Sequence, residues 1–225
     1  VVAVAKAVSL VTGEREVQIP AGILRLEGTL NLPEGATGTV LFAHGSGSSR
    51  FSPRNAYVAR MLQNAGLGTL LFDLLSEAEA QDRAKVFDID LLAERLSAAT
   101  DWLREQALPE GMRLGYFGAS TGAAAALQAA ARAGPAISAV VSRGGRPDLA
   151  EPYLDRVVAP TLLIVGEHDP LVIELNEAAY AALNTEKDLA VVPGATHLFE
   201  EPGALEQVAQ LAANWFRRYL GAPLA

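Results

Sequence analysis

Residues Leu24 to Leu32 alternate without a break, with Leu24, Leu26, Gly28, Leu30 and Leu32 on one face and Arg25, Glu27, Thr29 and Asn31 on the other. A period of two with one apolar face predicts a half-buried antiparallel strand. Glu16 to Ile19 precede it across a Pro20-Ala21-Gly22 break, so the two segments predict an amino-terminal hairpin. From Thr39 the pattern changes to short continuous apolar runs, TVLFA, TLLFD, LGYFG, ISAVV, TLLIV and LAVV, each bounded by turn residues. Such runs suit strands buried on both faces of a parallel sheet.

Helical spacing fills the intervals. Tyr57, Val58, Met61, Leu62 and Ala65 share a face, with Gly66 where a left-handed cap belongs, and Leu92, Leu96, Ala99 and Leu103 form a second stripe. Leu205, Val208, Ala212, Trp215 and Tyr219 predict a docked terminal helix, with Arg217 and Arg218 near its end, where cations complement the helix dipole. No linker, repeat or low-complexity tract interrupts this alternation. The expected fold is therefore α/β: the hairpin leading into one doubly wound, mostly parallel sheet of about eight strands. A single domain over 1–225 is expected, with 1–15 as a candidate extension.

Composition narrows the function. Half of the 225 residues are apolar and a fifth charged, as in an ordinary globular protein. The net charge of −8 comes without a basic run, so nucleic acid is not an expected partner. The absence of cysteine removes disulfides, thiolate metal sites and a cysteine nucleophile, and leaves the compartment open. The opening VVAVAKAVSL has no basic start and is too short for a bilayer, and no stretch reaches the roughly 20 apolar residues of a membrane helix. A cytoplasmic protein that does not engage membranes is expected, although the apolar opening also fits the remnant of a trimmed secretory signal.

The stretch LGYFGASTGAAAALQAAARAG carries the chemistry: an apolar strand, then Gly118-Ala119-Ser120-Thr121-Gly122, then an alanine-rich helix. G-x-S-x-G is a common string, and it is the strand-to-helix context that makes it a nucleophile elbow. A sharp turn there puts Ser120 at a helix amino end, where the backbone N–H of Thr121 can stabilise an oxyanion. The bland alternative is a glycine-softened turn with an incidental serine.

Serine needs a base, and the base needs an orienting acid. Of three histidines, only His197, in VVPGATHLF after the last expected strand, follows both a nucleophile and an acid in chain order. His44, which opens HGSGSSR, reads as a ring packed under that loop, and His168 as a neighbour of the acid. In TLLIVGEHDP the acid is Asp169, aimed by the turn at Pro170, with Glu167 as the alternative. HGSGSSR follows the third expected strand, so its Ser46 amide is the candidate second oxyanion donor; a plain flexible loop or an anion-binding nest are the other readings. Neither a P-loop nor a dinucleotide fingerprint is present.

The HG loop, GASTG elbow, GEHDP acid loop and GATH histidine loop, in this order, resemble the dienelactone-hydrolase-like branch of the α/β hydrolases. The chain is also similar to serine-bearing relatives, some of them joined to phosphoribosyltransferase domains. The resemblance implies the α/β-hydrolase fold and hydrolysis of an ester, lactone or related acyl bond of a small molecule through an acyl-enzyme, with no metal or organic cofactor. True dienelactone hydrolases use a cysteine nucleophile and this chain has none, so dienelactone itself is not the expected substrate. Two other functions share the scaffold: a non-catalytic binding protein, and an acyltransferase with an acceptor other than water. The segment SRGGRPDLAEPYLDRVVAP is too short for a large lid, and Arg50 and Arg143, with Arg146 as a further candidate, are placed to read a substrate carboxylate.

Overall fold

The alternating segment forms the strand its pattern predicts, β2 (Leu24–Leu32), paired antiparallel with β1 (Gly13–Ala21) in register from Gly13 opposite Leu32 to Ala21 opposite Leu24. The first strand is thus longer than the Glu16–Ile19 core of the pattern, and residues 13–15 belong to the hairpin, not to an extension. Its polar face explains this: Glu14, Glu16 and Gln18 bond Asn31, Thr29 and Glu27 across the pair. Pro20 and Ala21 remain in the strand, and the turn is Gly22-Ile23. An edge strand tolerates the missing N–H of Pro20. The computed structural model describes residues 12–221 apart from 107 and 110, so the opening VVAVAKAVSL lies outside the described residues.

Six further strands follow: β3 (Gly38–Ala43), β4 (Gly68–Phe72), β5 (Arg113–Ala119), β6 (Ala139–Arg143), β7 (Thr161–Gly166) and β8 (Lys187–Val192). The sheet order is β1-β2-β4-β3-β5-β6-β7-β8, parallel from β4 to β8. Strands β3 to β7 are buried almost throughout, as their continuous apolar runs predict, but β8 is mostly part-exposed. LAVV is an edge strand, covered on fewer sides than its composition suggests.

The helices are α1 (Pro53–Asn64), α2 (Arg83–Val86), α3 (Ile89–Glu105), α4 (Thr121–Ala133), α5 (Pro170–Ala182) and α6 (Ala204–Leu220). Helices α1 and α6 cover one face of the sheet around Phe42, Phe117 and Phe216, while α3, α4 and α5 cover the other around Tyr116, Leu96 and Leu127. Both cores gain the hydrophobic stabilisation of full burial. Helix α4 is buried between the sheet, α3 and a 3-10 stretch at Pro147–Arg156, which is why its side chains are nearly all alanine. The stripe Leu92, Leu96, Ala99 and Leu103 on α3 is buried as predicted.

Helix α6 corrects a finer expectation. Its buried line runs Val208, Ala209, Ala212, Ala213, Phe216 and Leu220, with Trp215 and Tyr219 at its margin. Alanines at 209 and 213 allow close approach to the sheet, while Trp215 donates to the Pro160 carbonyl at 3.3 Å from the rim. An amphipathic ring prefers a place where its N–H finds a partner.

The topology positions the site. Strand β3 has its successor β4 on one side and β5 on the other, so chain direction diverges at the carboxyl ends of β3 and β5. Open α/β sheets form ligand crevices at such switch points.

Candidate active site

Ser120 is the single residue between β5 and α4, with φ 52° and ψ −122°. A positive φ in a non-glycine residue costs about 1–3 kcal/mol and persists only where the surroundings over-determine it. Here they do: Ser120 N–H donates to the Arg143 carbonyl at 3.2 Å, and the Ser120 carbonyl accepts from Ala123 and Arg146, each at 3.1 Å. The flanking glycines answer to close approach. A methyl on Gly118 would stand 2.7 Å from Ala123 N, and one on Gly122 would stand 2.5 Å from the His44 carbonyl oxygen. Larger residues at either position would push α4 off the sheet.

Asp169 occupies the amino cap of α5 yet caps no amide with its side chain. Its Oδ2 instead lies 2.7 Å from His197 Nδ1. With Nδ1–H donating to the carboxylate, the lone pair of Nε2 is left to accept a proton. The imidazole is part-exposed and the carboxylate largely enclosed, their side chains 39% and 18% accessible. Glu167, the alternative acid, accepts the Gly194 N–H at 2.7 Å, and His168 N–H donates to the Ala195 carbonyl at 2.9 Å. Both tie the acid loop to the histidine loop.

His197 lies against the end of β6, where a methyl on Gly144 would stand 3.5 Å from its Cε1. The residue before, Arg143, holds the Ser120 N–H, so ring and serine collect on the same strand end. Among the described residues no hydrogen bond yet joins Ser120 Oγ to His197, and such bonds commonly tighten only with substrate bound. Phe199, buried beneath this loop at φ 55°, is a strained position that its sequence did not announce.

The HG loop meets the elbow from β3. His44 is a buried brace: Leu74 N–H donates to its Nε2 at 3.1 Å, and its Nδ1–H donates to the Gly45 carbonyl at 3.0 Å. Burial lowers its pKa below the ordinary 6.5, against smaller opposing effects of the Gly45 bond and Asp73. The unfolded chain therefore takes up a proton that the folded chain refuses, so this contribution is whole above about pH 6.5 and is lost as pH falls toward the lowered folded value. His44→Gln, which has nothing to protonate, should show a flatter melting-temperature profile between about pH 7 and pH 5 than the parent protein. Parallel profiles would mean His44 is not held neutral.

Ser46 N–H donates to Thr121 Oγ1 at 2.9 Å, so the expected second oxyanion amide is engaged by a side chain in this structure. That contact joins two positions 75 residues apart, and sequence reasoning considered only the backbone of Thr121. On the other flank of the loop lies a cavity of about 560 Å³, bounded by Ser46, Arg50, Leu75, Val86 and Leu92 among others. Its wall includes the 76–88 connection, a polar stretch whose lack of periodicity gave no sign that it would cover a cavity.

The arginines divide. Arg50 does not offer a free fork: its Nη1 pairs with Asp73 Oδ2, its N–H donates to Asp73 Oδ1 at 2.8 Å, and its guanidinium lies 4.3 Å from the Phe51 ring centre. Arg146 is paired in the same way with Asp148, at 2.9 and 2.7 Å. Arg143 is different. It is buried, its Nη1 has no partner among the described residues, and burial together with the charge of Arg54 pulls its pKa down to about 10. Arg54 itself pairs with Glu200 at 2.9 Å. Among the described residues no group of three or more metal-ligating side chains is assembled, and no helix is long and apolar enough to cross a membrane.

Comparison with known proteins places this geometry. The chain is 58% identical over 210 residues to a putative phosphoribosyl transferase of Mycobacterium tuberculosis, Rv0571c, covering 93% of this chain and 47% of that protein. It therefore spans about half the length of that curated relative. The crystal structure of dienelactone hydrolase from Anabaena variabilis superposes with a TM-score of 0.88 at 57% identity, over 92% of this chain and 97% of that one. A dienelactone hydrolase-like promiscuous phosphotriesterase from metagenomic libraries shares the fold, with a TM-score of 0.75 at 20% identity, over 92% and 98%. The model of the dienelactone hydrolase family matches residues 58–220. The fold is that of the α/β hydrolases, and the chain belongs to the dienelactone hydrolase family.

Proposed function

We propose that the chain cleaves an ester, lactone or related acyl bond of a small substrate through an acyl-enzyme. Ser120 is the nucleophile, His197 the base and Asp169 the acid that orients it. The observation that carries this reading is the 2.7 Å Asp169–His197 contact, which frees Nε2 at the strand end that also holds the strained serine. In this mechanism Ser120 Oγ attacks the acyl carbon while its proton passes to His197 Nε2. The same proton then goes to the leaving group, and water repeats the sequence to release the acid. The Thr121 N–H at the start of α4 supplies an oxyanion donor, while the Ser46 N–H expected as the second is given to Thr121 Oγ1 in this structure. The cavity touches the HG loop at Ser46, but none of Ser120, Asp169 and His197 is in its lining, so its volume sets no limit on the acyl group.

The substrate carries an anionic group, and Arg143 is its receptor in this reading, whereas Arg50 is already committed to Asp73. A buried cation without an acidic partner is costly to the protein, and a substrate carboxylate would meet that deficit bidentately. The test is a pair of p-nitrophenyl esters differing only in a terminal carboxylate, assayed with the parent protein and with Arg143→Met. The parent should release p-nitrophenol with a burst that marks an acyl-enzyme. The variant should raise KM for the charged ester about tenfold or more and leave the neutral ester unchanged. Equal effects on both would remove Arg143 from substrate recognition, and an absence of turnover on either ester would count against the esterase assignment.

A further inference from the structure

We propose that the Thr121 side chain is itself catalytic: its hydroxyl donates a hydrogen bond to the oxyanion formed when Ser120 attacks, alongside the Thr121 backbone N–H. The inference rests on the hydrolase reading above and adds a donor to it.

The starting point is that the Ser46 N–H is already given to Thr121 Oγ1, at 2.9 Å. An amide has one hydrogen, and it points along one line. In this arrangement Ser46 reaches a substrate oxygen through the threonine oxygen. A hydroxyl has one proton to give and two lone pairs to receive. One lone pair of Thr121 Oγ1 takes the Ser46 hydrogen, and among the described residues no acceptor lies against the hydroxyl's own hydrogen. Thr121 is only 3% exposed, so bulk water is a poor competitor for that hydrogen. The residue also directly follows the nucleophile and opens α4, where the helix dipole favours negative charge.

Behind the hydroxyl stands a chain of hydrogen bonds that fixes the amide it accepts from. Leu74 N–H donates to His44 Nε2, and His44 Nδ1–H donates to the Gly45 carbonyl. In a trans peptide the carbonyl and the following N–H point oppositely, so a hold on Gly45 oxygen aims Ser46 N–H the other way, onto Thr121. Each bond polarises the next, which makes the terminal hydroxyl a better donor than an isolated one. No proton leaves Thr121 in the reaction. The new bond joins Ser120 Oγ to the acyl carbon, the carbonyl π pair moves to the oxygen that Thr121 stabilises, and the serine proton goes to His197 Nε2.

The experiment is the crystal structure of the parent protein after reaction with a fluorophosphonate, whose phosphonyl oxygen marks the oxyanion position, together with the kinetics of Thr121→Val and Thr121→Ser. The oxygen should lie about 3 Å from Thr121 Oγ1. Thr121→Val, shown to fold by its thermal melt, should lose about 10²-fold in kcat at nearly constant KM, and Thr121→Ser should retain most of it. An oxygen held only by backbone amides with Oγ1 out of reach, or a valine variant as fast as the parent, would overturn the proposal. So would a serine variant as slow as valine, which would assign the loss to the missing methyl. A parent protein that forms no adduct at all would instead strike the nucleophile assignment, and this inference with it.

Discussion

Ser120→Ala should lower kcat/KM for any ester the protein turns over by about 10⁴-fold or more while leaving the thermal melt intact. The stability half of this expectation follows from position. Ser120 makes its structural bonds through its backbone, to Arg143, Ala123 and Arg146, and its side chain caps no helix. Removing the hydroxyl therefore breaks none of these structural bonds. His197→Ala should fall about as far, and the double variant should lose little beyond either single one, as expected of two residues proposed to share one step. Additive losses would indicate that they do not share one step.

Asp169→Asn should be nearly as severe, about 10⁴-fold in kcat, and Glu167→Gln mild. The distinction comes from what each carboxylate holds. Asp169 Oδ2 holds the imidazole nitrogen directly, and an amide there would present N–H or favour the wrong tautomer. Glu167 holds the backbone of Gly194, a loop contact that a glutamine oxygen can keep. Steady-state kinetics of the two variants on one ester decide the matter. The reverse ranking would transfer the orienting role to Glu167.

Much of the fold was legible because it rests on local period and on short-range punctuation. Leu24 to Leu32 alternate strictly and form β2, and the apolar runs from TVLFA to TLLIV form buried parallel strands. The strand, glycine-flanked serine and alanine-rich helix could be read together, since Gly118 and Gly122 are demanded by the close approach of α4 to β5 and to the end of β3. What the sequence withheld depends on contacts between distant positions. Arg50 looked free because Asp73, its partner, lies 23 residues on, at the end of another strand. Arg143 stood as one of three candidate arginines, and only the packing around β6 shows it buried beside Arg54 with no acid paired to it among the described residues. The Thr121 side chain looked incidental until Ser46, 75 residues earlier, came against it. LAVV read as a core strand although it closes the sheet, since composition does not reveal which strand lies at an edge.

Whether one serine in this chain is a nucleophile can be read from covalent labelling. The parent protein is treated with a fluorophosphonate and digested, and the modified peptide is identified by mass spectrometry. A single adduct on Ser120 is expected, absent from Ser120→Ala and much slowed in His197→Ala. An adduct on any other residue, or undiminished labelling of the Ser120→Ala protein, would contradict the nucleophile assignment.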